Sequence, residues 1–226
     1  MENILDLTAP RSTAEAVFDR LYEEIVNLDL LPGSRMSEAE VARRLGVSRQ
    51  PVRDAFKRLE NLDLLDIRPQ RATIIRRFSM PEIENTRFVR LAVEMEVIAR
   101  ACEIWNDTRA KQLDASLTEQ KAALDAGETE RFHQLDYSFH KLICDLGGHP
   151  MAFETISLCK RKVDRLCVLS LTHDHGGAAV LKDHIAIATA IADRSTNDAL
   201  ALTRHHLSRL DDTIAEIHKT HSDYFQ

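Results

Sequence analysis

The order of apolar and polar residues along the chain predicts a mainly helical protein built in two parts. The first part, up to residue 78, combines three helical periods with one stretch of strand-like alternation. The second part, residues 79–226, is helical throughout, with short polar or glycine-containing breaks between its periods. We therefore expect two domains of different architecture, 1–78 and 79–226.

The third helical period lies within the sequence GVSRQPVRDAFKRL, at residues 46–59. Four apolar residues recur there at the i, i+3, i+4 and i+7 positions of a buried helix face: Val52, Ala55, Phe56 and Leu59. Ser48 is a natural N-cap, so we expect its hydroxyl to accept a hydrogen bond from a backbone N–H of the first turn. Pro51 is tolerated in that turn because the first N–H groups of a helix have no partner inside it.

Two further helices and a pair of strands complete the first part. One helix spans about Thr13 to Leu28, and the next begins at Ser37, which has capping-box spacing to Glu40, and ends at Gly46. After the third helix, LLDIRPQRATIIRR alternates apolar and polar residues, as two short strands joined by a turn would. This pattern predicts a winged helix-turn-helix with three helices and a β-hairpin wing.

The second part begins with a capped, proline-containing helix start at Ser79 and Pro81. Five breaks then divide the sequence: Asn106-Asp107, Gly127, Gly147 to Pro150, Thr172 to Gly177 and Arg194 to Asn197. About six helices result, and their length suits an all-α antiparallel bundle. A cluster of His173, Asp174 and His175 falls in one of these breaks, and we interpret it as solvated.

Charge is distributed unevenly along the chain. The formal net charge is −6, yet residues 35–77 contain eleven Lys or Arg against six Asp or Glu, a local net charge of +5. At about 100° per residue, Arg49, Gln50, Arg53 and Lys57 project from one side of the third helix. A cationic helix N-terminus favours phosphate binding, and arginine forks suit guanine O6 and N7, so this face is a candidate for reading DNA.

Composition bears on the location of the protein and on the state of its cysteines. No run approaches the roughly 18 apolar residues of a membrane span, and the acidic start MENILDLTAPRS lacks the features of a signal peptide. We therefore expect a cytoplasmic protein without a membrane partner. The cysteines have no CxxC spacing, and we interpret them as reduced core thiols: Cys102, Cys144, Cys159 and Cys167.

The second part contains all ten histidines of the chain. Asp136 and His140 are four residues apart, so they share one side of a helix and border its apolar stripe. His184 belongs to a strongly apolar segment and is expected to be buried. In the adjacent pair His205 and His206, the helical projection turns His206 inward and His205 to solvent. Spacing alone leaves open whether these segments meet.

The stretch LLPGSRMSEAEVARRLGVSRQPVRDAFKRLENLDLL resembles the DNA-binding domain of the GntR family of bacterial transcription regulators. The resemblance implies DNA contacts from the start of the third helix, through Ser48, Arg49, Gln50 and Arg53. It also implies a wing contact from Arg71. The family's usual Arg-Gly pair in the wing is replaced by Arg71 and Ala72.

The helical part resembles the FadR C-terminal (FCD) type of effector domain, through VRLAVE at 89–94, LDYSFHKLI at 135–143, DHIAIATAIADR at 183–194 and HHL at 205–207. One branch of that family binds a divalent metal through an Asp-x-x-x-His pair and two further histidines. The matching positions here are Asp136, His140, His184 and His206. Such a set suits zinc or nickel, and also iron or manganese, and Arg90 would then hold an anionic effector.

The resemblance therefore implies a homodimeric transcription regulator that is a repressor and not an enzyme. Its partners would be double-stranded operator DNA with an inverted repeat and a small carboxylate effector bound at the metal. One alternative is a metal-free regulator that senses an acyl or lipid-like ligand. The other is a metallohydrolase carrying a DNA-binding module, although the sequence offers no nucleophile or general base beside the histidines.

Overall fold

The computed structural model describes residues 12–68, 71–172 and 176–226. These residues form two compact units. The first contains the described residues up to Phe78 together with Asp223–Gln226, and the second is Ser79–Ser222. The predicted domains, 1–78 and 79–226, assign the last four residues to the second part, whereas the first unit contains them. The division into these two domains remains a proposal.

The first unit contains three helices and a small antiparallel sheet. The helices are α1 (Thr13–Val26), α2 (Glu38–Leu45) and α3 (Arg49–Asn61), and the strands are β1 (Arg35–Met36), β2 (Leu65–Asp66) and β3 (Thr73–Ile75). The strand order is β1-β3-β2, with Arg35 opposite Ile74 and Leu65 opposite Ile75. Strand β1 is a third strand beside the predicted two-stranded hairpin. It was not predicted, because two residues are too few to show alternation in a sequence. The predicted turn at Pro69 and Gln70 lies outside the described residues.

The core of the first unit confirms the predicted buried face of α3. Val52, Ala55, Phe56 and Leu59 are all fully buried. They pack in one cluster with Leu21 and other apolar residues of α1 and the sheet. Because this face of α3 packs into the core, the opposite face of the helix lies at the surface.

The helix starts follow the predicted capping chemistry with one exception. Ser37 caps α2 by accepting a bond from the Glu40 N–H at 3.2 Å, and Gly46 ends the helix in the left-handed region at φ 66°. Ser48 occupies the N-cap position of α3, but its side chain accepts no capping hydrogen bond. The predicted bond was therefore wrong. The third helical position, a usual donor to an N-cap side chain, is Pro51, which has no N–H.

The second unit is a bundle of helices, as predicted. The described residues form α4 (Met80–Glu103), α5 (Asp107–Asp125), α6 (Thr129–Leu146), α7 (Ala152–Thr172), α8 (Gly176–Ala192) and α9 (Thr196–Thr220). Helix α4 packs against α7 and α9, and α5 packs against α6 and α8. His173, Asp174 and His175 lie outside the described residues. The mainly α fold, a winged helix-turn-helix followed by an all-α bundle, is thus confirmed.

The bundle core is apolar, with Phe139 and Ile191 fully buried at its centre. Cys102, Cys144 and Cys159 are free thiols in this interior. Burial raises the pKa of Cys144 to about 12, so this thiol stays protonated at neutral pH. The side chain of Cys167 is not among those described. None of the described helices has the length and apolar character needed to cross a membrane.

Candidate metal centre and nucleic-acid interface

Four side chains from three helices of the bundle converge in its interior. Asp136 and His140 come from α6, His184 from α8 and His206 from α9, and all four are buried. One potential ligand atom from each lies within 4.8 Å of the corresponding atoms of the others. We call these four residues the Asp-His cluster. The structure thus brings together the residues that the helical projection could only place on separate inward faces, while His205 is exposed.

The inward atoms of the cluster face one another without forming hydrogen bonds. Oδ1 of Asp136 lies 3.4 Å from Nε2 of His184 and 3.8 Å from Nε2 of His140. His184 is fully buried, and its Nε2 has no hydrogen-bond partner among the described residues. A buried polar atom without a partner is costly, and coordination of a cation by the nitrogen lone pair would remove that cost. The donor set therefore fits a transition-metal ion.

Each imidazole has a polar neighbour at its other nitrogen, and two of these neighbours lie within hydrogen-bond distance. Nδ1 of His140 lies 2.8 Å from Oε2 of Glu94, and Nδ1 of His184 lies 2.7 Å from Oε1 of Gln120. Nδ1 of His206 lies 3.4 Å from Oδ2 of Asp183 and forms no hydrogen bond with it. The acceptors at Nδ1 of His140 and His184 favour the tautomer whose Nε2 lone pair points into the cluster, which is the usual arrangement around protein-bound metals.

The protonation of the cluster also suits a metal. Burial lowers the pKa of His184 and His206, although Asp183 opposes the shift at His206. Both rings are therefore neutral at pH 7, the form that coordinates a cation. Burial alone would raise the pKa of Asp136, but the Lys160 ammonium and the neighbouring histidines outweigh it and hold that pKa well below its usual range. The carboxylate is therefore charged.

A cavity of about 430 Å³ opens onto the cluster at Asp136 and His206. Its walls carry apolar side chains from five helices: Leu91, Phe132, Val163, Val180, Leu207 and Leu210. They also carry five cations: Arg87, Arg90, Lys160, Arg204 and Arg209. Arg90, the predicted effector residue, donates from Nε to Glu94 at 2.6 Å, and its Nη2 lies 3.2 Å from Nε2 of His140. The arginine is therefore beside the inward nitrogens and within the cavity wall.

In the first unit, the predicted DNA-contacting residues lie at the surface. Ser48, Arg49, Gln50 and Arg53 are exposed at the start of α3, and Arg71 is exposed just before β3. Arg53 pairs with Glu38 of α2 at 3.2 Å. Because this pair is exposed, it holds the guanidinium only weakly, and a DNA base or phosphate can replace the carboxylate.

Comparison with known proteins agrees with both halves of the fold. Residues 13–75 match the family model described as bacterial regulatory proteins, gntR family, and residues 86–209 match the FCD domain. The chain is 32% identical to the HTH-type transcriptional repressor RspR of Escherichia coli K12 over 225 residues, which covers 100% of this chain and 98% of that protein. The chain belongs to the GntR family. It is accordingly a DNA-binding transcriptional regulator and not an enzyme.

Two other similarities extend over most of this GntR protein. It is 25% identical to the Nta operon transcriptional regulator of Aminobacter aminovorans over 199 residues, covering 85% of this chain and 90% of that one. Its fold is similar to that of E. coli McbR/YncC, with a TM-score of 0.69 at 18% identity, covering 93% of this chain and 99% of that chain.

Sequence reasoning missed the residues that surround the Asp-His cluster in this GntR protein. Glu94 and Asp183 lie beside imidazoles, and Lys160 contacts Asp136. Glu94 carried a usable signal, because it follows the predicted effector arginine by one helical turn. Gln120 and Lys160 carried none, since nothing in a single sequence indicates that a polar residue on a separate helix is buried.

We predict that purified protein contains about one transition-metal ion per chain and that His184→Ala removes most of it, because three remaining ligands hold the ion more weakly. His205→Ala is the matched control, since this neighbour of His206 is exposed and should leave the metal content unchanged. Metal analysis by mass spectrometry after dialysis measures both. Equal losses from the two variants would rule out the cluster as the binding site.

Proposed function

We propose that the protein is a homodimeric, cytoplasmic repressor whose FCD domain binds a divalent transition-metal ion and a small carboxylate effector that weakens operator binding. The observation that carries this proposal is the Asp-His cluster opening onto a cavity with five cationic side chains. The name of the E. coli relative supports repression rather than activation.

Asp136, His140, His184 and His206 would hold the ion. Three imidazoles and one carboxylate suit zinc or nickel best, and iron or manganese also fit. When bound, the ion supplies a Lewis-acidic position for an oxygen of the effector. Arg90, whose side chain is largely buried, then orients a second oxygen through its guanidinium, and the apolar walls accommodate the carbon skeleton.

The start of α3 would read the operator. Its free N–H groups and the Ser48 hydroxyl, which makes no capping bond, are positioned to meet a phosphate. Arg49 and Arg53 are suited to guanine edges in the major groove, and Gln50 can hydrogen-bond a neighbouring base or phosphate. Arg71 would contact the minor groove or backbone from the wing.

Homodimerisation would match an inverted-repeat operator, because two-fold protein symmetry is mirrored in paired half-sites. Large apolar side chains at the surface of the second unit support an interface there. Phe88 is 72% exposed on α4, and Met151, before α7, is 76% exposed. A partner that covers these side chains would remove their apolar surface from water.

A metal-free regulator of an acyl ligand is the second candidate, favoured by the apolar share of the cavity wall. The polar floor at Asp136, Lys160 and Arg90 weighs against it, because an acyl chain offers these groups no hydrogen bond.

We predict that Arg49→Ala or Arg53→Ala costs about 1 to 3 kcal/mol on the specific operator, because each removes a bidentate contact to a base. Affinity for random DNA should fall much less. Fluorescence anisotropy with both DNAs, at fixed salt concentration, measures the contrast. Equal losses on the two DNAs would reduce both arginines to phosphate contacts.

We also predict that a small carboxylate weakens operator binding by roughly 5 to 150-fold, corresponding to a coupling of about 1 to 3 kcal/mol. By reciprocity, operator DNA must weaken carboxylate binding by the same factor. The coupling is measured by titrating a thermal-shift hit against labelled operator, with metal-loaded protein and with His184→Ala. An effector that releases DNA equally well from both proteins would place sensing away from the metal.

A further inference from the structure

Lys160 is a buried lysine whose ammonium lies at the floor of the cavity. The residue is 4% exposed, comes from α7 and contacts Oδ2 of Asp136. Its Nζ also lies 4.4 Å from the centroid of the Tyr137 ring, a favourable position for a cation. Because Oδ2 of Asp136 is engaged by Lys160, Oδ1 is the oxygen that faces the imidazoles.

The charges around the cluster balance before any ion is added. Three acid–base pairs of described residues line this region: Asp136 with Lys160, Glu94 with Arg90, and Asp183 with Arg209. Imidazoles coordinate a metal only in the neutral form, so the three histidines add no charge to the metal-bound state. A divalent ion therefore leaves a net charge of +2 in a buried site.

Among the residues that the structure describes, the rim of the cavity offers no compensation for this charge. Arg87 of α4 is paired with Asp211 of α9, and the remaining charged residues of the wall, Glu84 and Arg204, are exposed and opposite in sign. Uncompensated charge in a desolvated site is strongly unfavourable, whereas exposed charges are screened by water. The compensating charge must come from what occupies the cavity.

We propose that Lys160 determines the charge class of the effector, by making the metal-loaded site selective for a small organic dianion over a monoanion. The inference rests on the proposed function, because it requires the ion at the Asp-His cluster. Without the Lys160 charge, the same site would carry a net charge of +1, which a single carboxylate offsets. The charge of Lys160 therefore determines how much more tightly the site binds a dicarboxylate than its monoester.

Malonate and monomethyl malonate test this directly, because they share a skeleton and differ by one negative charge at neutral pH. We expect metal-loaded wild-type protein to bind malonate at least about tenfold more tightly by calorimetry, since one further unit charge is attracted to the buried site. Lys160→Met and Lys160→Gln should each lose most of this preference while retaining about one metal ion per chain. The glutamine variant keeps a hydrogen-bond donor for Asp136, so it separates charge from positioning.

Lys141→Met is the matched control. This lysine lies on α6 with an exposed side chain paired with Asp145, and its loss should leave the preference intact. A preference that survives in Lys160→Gln, or that is absent from the metal-loaded wild type, overturns the role of Lys160 while leaving the metal-dependent regulator standing. Wild-type protein that retains no metal overturns both proposals.

Discussion

The second unit contains a buried histidine, His184, whose inward nitrogen has no hydrogen bond within the described residues. His184 is completely enclosed, stacked on Phe139 at a centroid distance of 4.0 Å, and its Nε2 has no hydrogen-bond partner among the described residues. A core histidine that served only packing would be expected to find a donor or acceptor for both nitrogens. Here Gln120 satisfies Nδ1, and Nε2 is directed toward Asp136. The three helices that carry the cluster thus present lone pairs to a common point, and a cation is the species that such a point accommodates.

The charged residues around the cluster influence effector binding as well as metal binding. Each side chain of the cluster lies beside a polar neighbour, and three of those neighbours are Glu94, Asp183 and Lys160. Such contacts fix ligand orientation, and they also set the charge that an incoming molecule meets. Because the cavity joins this floor to Arg90 and to apolar walls, it is suited to a small acid with a compact carbon skeleton. If that acid binds the state that cannot bind DNA more tightly than the state that can, it would shift the protein away from the operator and so change transcription.

Much of the fold could be predicted from one sequence because its signals are local. The stripe of Val52, Ala55, Phe56 and Leu59 follows directly from helix geometry, and glycine breaks mark the helix ends in the bundle. His206 could be distinguished from His205 by the same projection. The failures have equally local causes: strand β1 is too short to show a period, and Pro51 deprives Ser48 of its expected donor. Lys160 and Gln120 escaped prediction because their burial depends on packing between helices that are distant in sequence.

Anomalous scattering from crystals of the metal-loaded protein locates the ion and shows whether the Asp-His cluster binds it. We expect one dominant peak per chain, at about 2.0 to 2.2 Å from nitrogens of His140, His184 and His206 and an oxygen of Asp136. The Lys160 ammonium should remain against the other oxygen of that carboxylate. A metal-loaded crystal whose ion lies elsewhere, for example on the exposed His218 and His221, with the four cluster side chains unliganded, would contradict metal binding by the cluster.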